Sequence, residues 1–403
     1  MNQSFDIKEL KRFCKQSEYI ENSLSVSALE AQLEPFCKNI LDESFVFEIK
    51  KLGSYFLSES LPNRLILRKL NDNIKRIYKD EQANRKIIIS QIKVLLEETC
   101  PCWILKTDIR SFYESIDRNK LIAKFRDDSM LSYYSMFLLD KLFLNENFET
   151  STGVPRGMNI SATLSEIFMR KFDKWVRNYA GVYYYARFVD DIIIFSNSLL
   201  DLQELMKLIN IKLGELAHGL EINKSKTQLF EGLTLKQLNI FNETGLNMKE
   251  YLEYLGYKFS KTRNRKAFNL KTTIANKKIK KIKTRITLSF IDYTKNFNFY
   301  LLNNRIKFLT GNYGIRKTSE GNILKSGIYF NYPHLTDNTS LIELNEYYRK
   351  ILYCKKGKLG AALGYLTLKQ RQKLKKYCFI SGYNNKIYNS FSFLQMNEIV
   401  RCW

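Results

Sequence analysis

Residues 183–195 run Tyr-Tyr-Tyr-Ala-Arg-Phe-Val-Asp-Asp-Ile-Ile-Ile-Phe, two apolar runs on either side of an acidic pair. Both runs are rich in β-branched and aromatic residues, so each predicts a strand, with Asp190 and Asp191 at the tight connection of a hairpin. The flanks are almost wholly apolar, as in strands buried on both faces, which sets the two carboxylates on a rigid platform. A third short apolar run, residues 103–109, predicts another strand and carries Asp108 near its end. Asp108 lies far from Asp190 in sequence, so the two meet only through tertiary structure.

Elsewhere the apolar spacing is helical. Residues 1–50 predict a helical cap, with Leu24, Ala28, Leu29 and Leu33 on one face. Ile87, Ile88, Ile92, Leu95 and Leu96 mark a buried helix face within a basic segment, residues 61–99. In that segment Arg64, Arg68, Lys69, Lys75, Arg76, Lys79, Arg85 and Lys86 outnumber Asp72, Asp80 and Glu81. Asp117 is placed to cap a helix through Leu121, Ile122 and Phe125. Leu131, Tyr134, Phe137, Leu138 and Leu142 predict a second. Gly153-Val154-Pro155-Arg156-Gly157 forms a turn before a helix that carries Ile160, Leu164, Ile167, Phe168, Phe172, Trp175 and Val176 on one side. In residues 251–259, Gly256 falls where a mid-strand bulge or a close backbone approach would need it. Residues 305–333 predict loop-rich, aromatic chain suited to stacking on unpaired bases. Ile342, Leu344, Tyr347, Tyr348 and Ile351 predict helical core.

Charge narrows the class of partner. The 403 residues contain 65 Lys and Arg against 41 Asp and Glu, a formal net charge of +24, which points to a polyanion such as nucleic acid. The excess is concentrated: from Lys258 to Arg285 twelve residues are Lys or Arg and none is acidic. Such a block repels itself unless phosphates neutralise it. Two histidines argue against His-based catalysis, and seven scattered cysteines predict reduced packing thiols rather than disulfides or a zinc site. No secretory signal is evident, and no run approaches the ~20 apolar residues of a membrane span. A cytoplasmic location is the expectation.

The acids carry the chemistry. Converging carboxylates on a rigid platform need a cation to offset their repulsion, and hard oxygen donors select Mg²⁺ or Mn²⁺. Asp108-Ile109-Arg110-Ser111-Phe112-Tyr113 resembles motif A of the reverse transcriptases. Gly153-Val154-Pro155-Arg156-Gly157 resembles their motif B, with Arg156 where many members have Gln, and Phe188-Val189-Asp190-Asp191 resembles motif C. The three occur in the family's order. Residues 219–227 resemble motif D, with Lys226 as the better match and Lys224 as the alternative. Residues 251–259 resemble the primer-grip hairpin.

The resemblance covers roughly residues 60–260. It implies an α+β fold, a right-hand polymerase with an antiparallel-sheet palm, helical fingers and a helical basic thumb. The corresponding domains are an N-terminal cap over 1–60, fingers and palm over 61–260, and thumb with C-terminal extension over 261–403. The implied activity is RNA-directed DNA synthesis from deoxynucleoside triphosphates, with two Mg²⁺ ions (or Mn²⁺) about 3.5–4 Å apart. Asp108, Asp190, Asp191 and the carbonyl of Ile109 would hold the metals, and Lys226 would donate a proton to pyrophosphate. Arg64, Arg68, Tyr113, Arg156 and Gly157 would bind the nucleotide. Tyr254, Gly256, Lys277, Lys278, Lys280 and Lys281 would bind primer and template. Residues 186–191, with residues 309–313 and Tyr332-Pro333, resemble the bacterial "unknown group" enzymes of phage defence. That implies a companion non-coding RNA as template and admits a second reverse transcriptase, or another copy of the chain, as partner. A retron-type reverse transcriptase, an RNA-dependent RNA polymerase and an idle nucleic-acid-binding module remain the alternatives.

Overall fold

The computed structural model describes residues 2–53, 55–79, 83–98, 100–148, 152–238, 249–263, 268–317 and 323–403. Asp80, Glu81, Arg265, Lys266, Gly321 and Asn322 lie outside the described residues. The chain divides into two compact units, residues 1–88 with 101–229 and residues 89–100 with 230–403.

The first unit opens with three helices, α1 (Ile7–Lys11), α2 (Gln16–Glu21) and α3 (Val26–Leu41), the last burying Leu29, Leu33 and Ile40. A hairpin of β1 (Ile49–Leu52) and β2 (Tyr55–Ser58) leads into α4 (Leu61–Tyr78), whose N-cap is Ser60 and whose first turn holds Pro62. The division between the units falls inside α5 (Arg85–Glu97). This helix buries Ile88, Ile89, Ile92 and Leu96, whereas Ile87 is 55% exposed. Three consecutive isoleucines span more arc than one helix face, so one of them must turn outward.

There follow β3 (Trp103–Asp108), α6 (Arg118–Asp128), α7 (Tyr133–Phe143), α8 (Asn159–Arg177), β4 (Val182–Phe188), β5 (Asp191–Ser196), α9 (Leu199–Leu216) and β6 (Gln228–Glu231). Asp117 caps α6 by accepting the Lys120 N–H. The sheet runs β4-β5-β3-β6, and β5 is antiparallel to both of its neighbours. Helix α8 packs on β4 and α4, and α9 on β3 and β5. Ile192 through Phe195 of β5 are wholly buried, which is why those four positions are all apolar instead of alternating.

The second unit continues with β7 (Gln237–Leu238) and a three-stranded antiparallel sheet of β8 (Leu252–Tyr254), β9 (Tyr257–Arg263) and β10 (Phe268–Ile274). Gly256 sits in the two-residue turn between β8 and β9, not in a mid-strand bulge. Leu255 and Gly256 both have positive φ, 44° and 85°, the combination that a tight hairpin turn with the strands' own twist demands. Helices α10 (Asn276–Asn296) and α11 (Phe299–Thr310) precede a hairpin of β11 (Asn312–Lys317) and β12 (Ile323–Gly327), then α12 (Ile328–Asn331). The described residues within 305–333 are thus largely helix and strand where the sequence predicted loop. The unit ends with α13 (Thr339–Leu352), α14 (Gly357–Gly364), α15 (Leu368–Lys375), α16 (Phe379–Asn384) and α17 (Phe393–Val400). The buried face of α13 is Leu341, Leu344, Tyr348 and Leu352, and Ile342 is 45% exposed. All seven cysteines are thiols outside any disulfide. Among the described residues no helix is long and apolar enough to cross a membrane.

Candidate active site

Asp108 is the last residue of β3 and Asp191 the first of β5, and the two are register partners. Asp190 therefore occupies the turn, and Asp191 opens the strand instead of sharing the connection. The turn is pinned to β3 from the other side, since the Ile109 N–H donates to the Asp190 carbonyl at 3.0 Å. A single 3₁₀ turn at Lys224–Lys226 brings up a lysine, whose Nζ donates to Asp108 Oδ2 at 2.5 Å. That segment is held by the Asn223 N–H on the Asp108 carbonyl (2.8 Å) and by the Thr107 and Thr227 hydroxyls (2.7 Å). Lys226, not the alternative Lys224, is thus the lysine that meets Asp108.

The electrostatics show a shortage of positive charge. Burial, with the neighbouring Asp190 carboxylate adding to it, pushes Asp191 up to about 6. Burial, followed by repulsion from Asp108, also raises Asp190. The hydrogen bond to Asp108 raises Lys226, so its ammonium keeps its proton. Asp108 Oδ1 is buried without a hydrogen-bond partner. Among the described residues no three Asp, Glu, His or Cys side chains are gathered into a ready cage. An orphaned carboxylate oxygen beside two carboxyls that resist ionisation nevertheless fits a hard divalent cation, which would supply the missing charge through oxygen donors alone.

Tyr113 begins a 3₁₀ turn five residues beyond Asp108 and is half-buried, whereas Phe112 is only 2% exposed. Burial pushes the Tyr113 phenol up, with Ser165, Asp190, Glu166 and Arg156 around it. The 153–157 loop is fastened to this segment: the Gly153 N–H donates to the Ile116 carbonyl and the Val154 N–H to the Tyr113 carbonyl, both at 2.7 Å. Gly153 has φ +85°, and a Cβ there would meet the Glu114 carbonyl at 2.8 Å, so only glycine fits. Arg156 forms a two-armed ion pair with Glu114, and its carbonyl accepts the Phe56 N–H of β2 at 2.8 Å.

Arg64, Arg68 and Gly157 line a cavity of about 250 Å³ together with Phe56, Ser58 and the first residues of α8. The two arginines differ. Arg68 grips Glu18 with both arms, at 2.6 and 2.7 Å, and also donates to the Phe13 carbonyl, so it is committed to the N-terminal helices. Arg64 stands 3.9 Å from Glu18 and is 39% exposed. Tyr254, Gly256, Lys277, Lys278, Lys280 and Lys281 belong to the second unit. Tyr254 is buried at 2%, and the four lysines are exposed along α10.

Sequence reasoning passed over Arg187. Its side chain is 2% exposed and bonds Asp173 through Nε (2.9 Å) and Nη2 (2.7 Å), and Glu166 through Nη1 (3.1 Å) and Nη2 (2.6 Å). Nη1 also donates to the Val189 carbonyl at 2.9 Å. Val189 has φ +61°, an unusual conformation for a β-branched residue, directly before Asp190. One guanidinium thus ties α8 to the strained turn that presents the acids. The available signal was two acids seven residues apart, Glu166 and Asp173, among the apolar positions of an amphipathic helix whose other charges are all basic: acids on a buried face require a cationic partner.

The sequence profile of the family "Reverse transcriptase (RNA-dependent DNA polymerase)" matches residues 50–259, more than half of the chain. No curated protein sequence matches. Of the solved structures, 115 chains match. One is the apo telomerase from Candida tropicalis truncated from its C-terminal domain, at 16% identity and a TM-score of 0.35, over 53% of this chain and 44% of that one. The chain therefore spans less than half of that telomerase. Reverse transcriptase domains generally use divalent metal ions, in keeping with the charge shortage at Asp108, Asp190 and Asp191. The chain belongs to the reverse transcriptase family, RNA-directed DNA polymerases with an α+β right-hand polymerase fold.

Proposed function

We propose that this chain copies an RNA template into DNA with Asp108, Asp190, Asp191 and the Ile109 carbonyl as ligands for two Mg²⁺ ions, Mn²⁺ substituting. The observation that carries the reading is the β3–β5 register, which pairs Asp108 with Asp191 and leaves Asp190 in the turn beside them. The bound ions would activate the attacking 3′ hydroxyl and neutralise the triphosphate and the leaving pyrophosphate. Lys226, kept protonated by Asp108, is the proton donor to pyrophosphate. Tyr113 closes off the space beside C2′ of the incoming sugar and so excludes ribonucleotides. Gly157 and Arg64 face the triphosphate, with Arg156 supporting the nucleotide through Glu114 and Arg68 holding α4 in place. The β8–β9 turn at Gly256, and Lys277, Lys278, Lys280 and Lys281, bind primer and template in the second unit, whereas Tyr254, too buried to touch a strand, holds that hairpin in place.

The template is a dedicated non-coding RNA and the setting is cytoplasmic phage defence in bacteria, readings that rest on sequence resemblance alone. The domain limits proposed are a cap over 1–60, fingers and palm over 61–260, and thumb with extension over 261–403. Primer extension tests the chemistry. Asp108→Asn, or Asp190→Asn with Asp191→Asn, keeps the side-chain shape and removes the charge, so synthesis should vanish from a protein that still melts as a folded chain. A folded variant that extends primers at the parental rate would refute the assignment. Sequencing the RNA and DNA that co-purify tests the template, and a preference for ribonucleotides would favour an RNA polymerase instead.

A further inference from the structure

The aromatic segments at 309–313 and 327–332 take no part in the site described above. They form one wall of a cavity of about 190 Å³ within the second unit. The rest of the lining is a single face of α10, where Lys278, Lys281, Ile282 and Arg285 follow one another at helical spacing. Three cations thus line one cavity, and no acid is among its described lining residues.

The aromatic wall is built to stay in place. Tyr313 stacks on Phe308 with centroids 3.9 Å apart and planes 24° from parallel. Asn312 is wholly buried, and every one of its polar groups is used. Its N–H and Nδ2 donate to the Ile387 carbonyl, Nδ2 also to the Gly382 carbonyl, and Oδ1 accepts the Tyr329 N–H. Gly327, at φ +119°, lies so close to Asn312 and Gly311 that a Cβ would collide with their backbone. Arg285 lies 5.0 Å over the ring of Trp403, which fixes its guanidinium at the cavity's edge. A preformed hollow to which one segment gives aromatic rings and another clustered cations matches the two halves of a nucleotide, a flat base and a phosphate. The volume is below the ~300 Å³ usual for a free small-molecule site. An unpaired residue of a longer strand, which need not be enclosed whole, fits such a hollow, since a base inside a duplex has both faces covered.

We infer that this cavity captures one unpaired nucleotide of a single-stranded nucleic acid, its phosphate on Lys278, Lys281 and Arg285 and its base against Tyr313 and Tyr332. The inference rests on the reading that α10 binds nucleic acid and adds a defined, base-dependent seat. Lys281 lines the cavity and Lys280 does not, although both are exposed on α10. Lys281→Glu and Lys280→Glu change net charge equally, so they separate the seat from the general field. Affinity would be read by anisotropy of fluorescein-labelled octathymidylate and of the same strand made entirely of abasic units, with the full chain at fixed salt. Lys281→Glu should weaken octathymidylate binding at least tenfold more than Lys280→Glu. The abasic strand should bind the parent about fivefold or more weakly, following the usual value of a single base stack, and this difference should disappear in Lys281→Glu. Equal losses in the two variants, or an abasic strand that binds the parent as tightly, would overturn the seat and leave α10 as a phosphate-binding face. No loss in either variant would overturn the nucleic-acid reading of α10 along with it. Tyr313→Leu, checked for parental melting, should reproduce the abasic effect; an unchanged preference for bases there would also overturn the proposal.

Discussion

Replacing Arg187 by Met separates two jobs that the guanidinium performs. The first is neutralisation, because Asp173 and Glu166 both bond it at 2.6–3.1 Å in a site where its side chain is 2% exposed. Removing one partner of a buried ion pair leaves the other charge stranded and costs about 3–5 kcal/mol. The second is mechanical, because the same group holds the Val189 carbonyl at 2.9 Å in a turn whose positive φ is unfavourable for valine by about 1–3 kcal/mol. The two contributions part company in the triple variant Arg187→Met, Asp173→Asn, Glu166→Gln. It leaves no buried charge unpaired, so urea denaturation should return most of the lost stability. The turn remains without its clamp, so primer extension should stay at least tenfold below the parent. Arg187→Lys restores a charge but not the fork, and should fall between the two in stability. The reasoning fails if Arg187→Met costs under about 1 kcal/mol, or if the triple variant extends primers at the parental rate.

Three further outcomes follow from the geometry. Tyr113→Ala should raise kcat/KM for ribonucleotides relative to deoxynucleotides, whereas Phe112→Ala, at a residue 2% exposed, should mainly cost about 3–5 kcal/mol of stability; an unchanged sugar ratio in the first variant removes Tyr113 from the site. Neutralising Lys277, Lys278, Lys280 and Lys281 together should flatten the salt dependence of nucleic-acid binding, each lost phosphate contact removing about 0.7–0.9 from the slope; an unaltered slope returns the lysines to solvent. In chelator, Asp191 binds its proton up to about pH 6 in the folded chain against an ordinary 3.8, so the native state holds more protons between those values and stability falls as pH rises through them. Asp191→Asn should therefore be more stable than the parent above pH 6, by on the order of 2–3 kcal/mol, and gain nothing near pH 4; equal melting at pH 8 would refute the shift.

The parts of this molecule legible in its sequence are those governed by local periodicity. The apolar flanks of Asp190 gave β4 and β5, Asp117 announced α6, and the apolar stripe of α8 was evident from Ile160 to Val176. Phase errors arose where isoleucines lie next to one another or on a helix rim, as at Ile87 and Ile342, since hydrophobicity alone does not say which of two neighbours turns inward. Gly256 was misplaced because a strand glycine suits a bulge or a turn equally until the pairing of β8 with β9 is known. The contacts of Arg187 and Lys226 depend on chain segments brought together from afar, and no local pattern encodes a partner. Arg68 shows the converse, a basic residue whose surroundings suggested a ligand and whose guanidinium is spent on Glu18.

The order of strands in the sheet has a consequence for how the enzyme is made. Strand β3 lies between β5 and β6, and both of its neighbours are translated after it. Asp108 waits for a lysine 118 residues further along the chain. During synthesis the apolar β3 therefore emerges with both hydrogen-bonding edges open, and its permanent partners do not yet exist. Such non-local pairings close slowly and leave strand edges exposed in the meantime. Activity should appear late and all at once in a refolding time course, coinciding with burial of β5. Slower translation or lower temperature during expression should raise the yield of active protein more than any change to its surface.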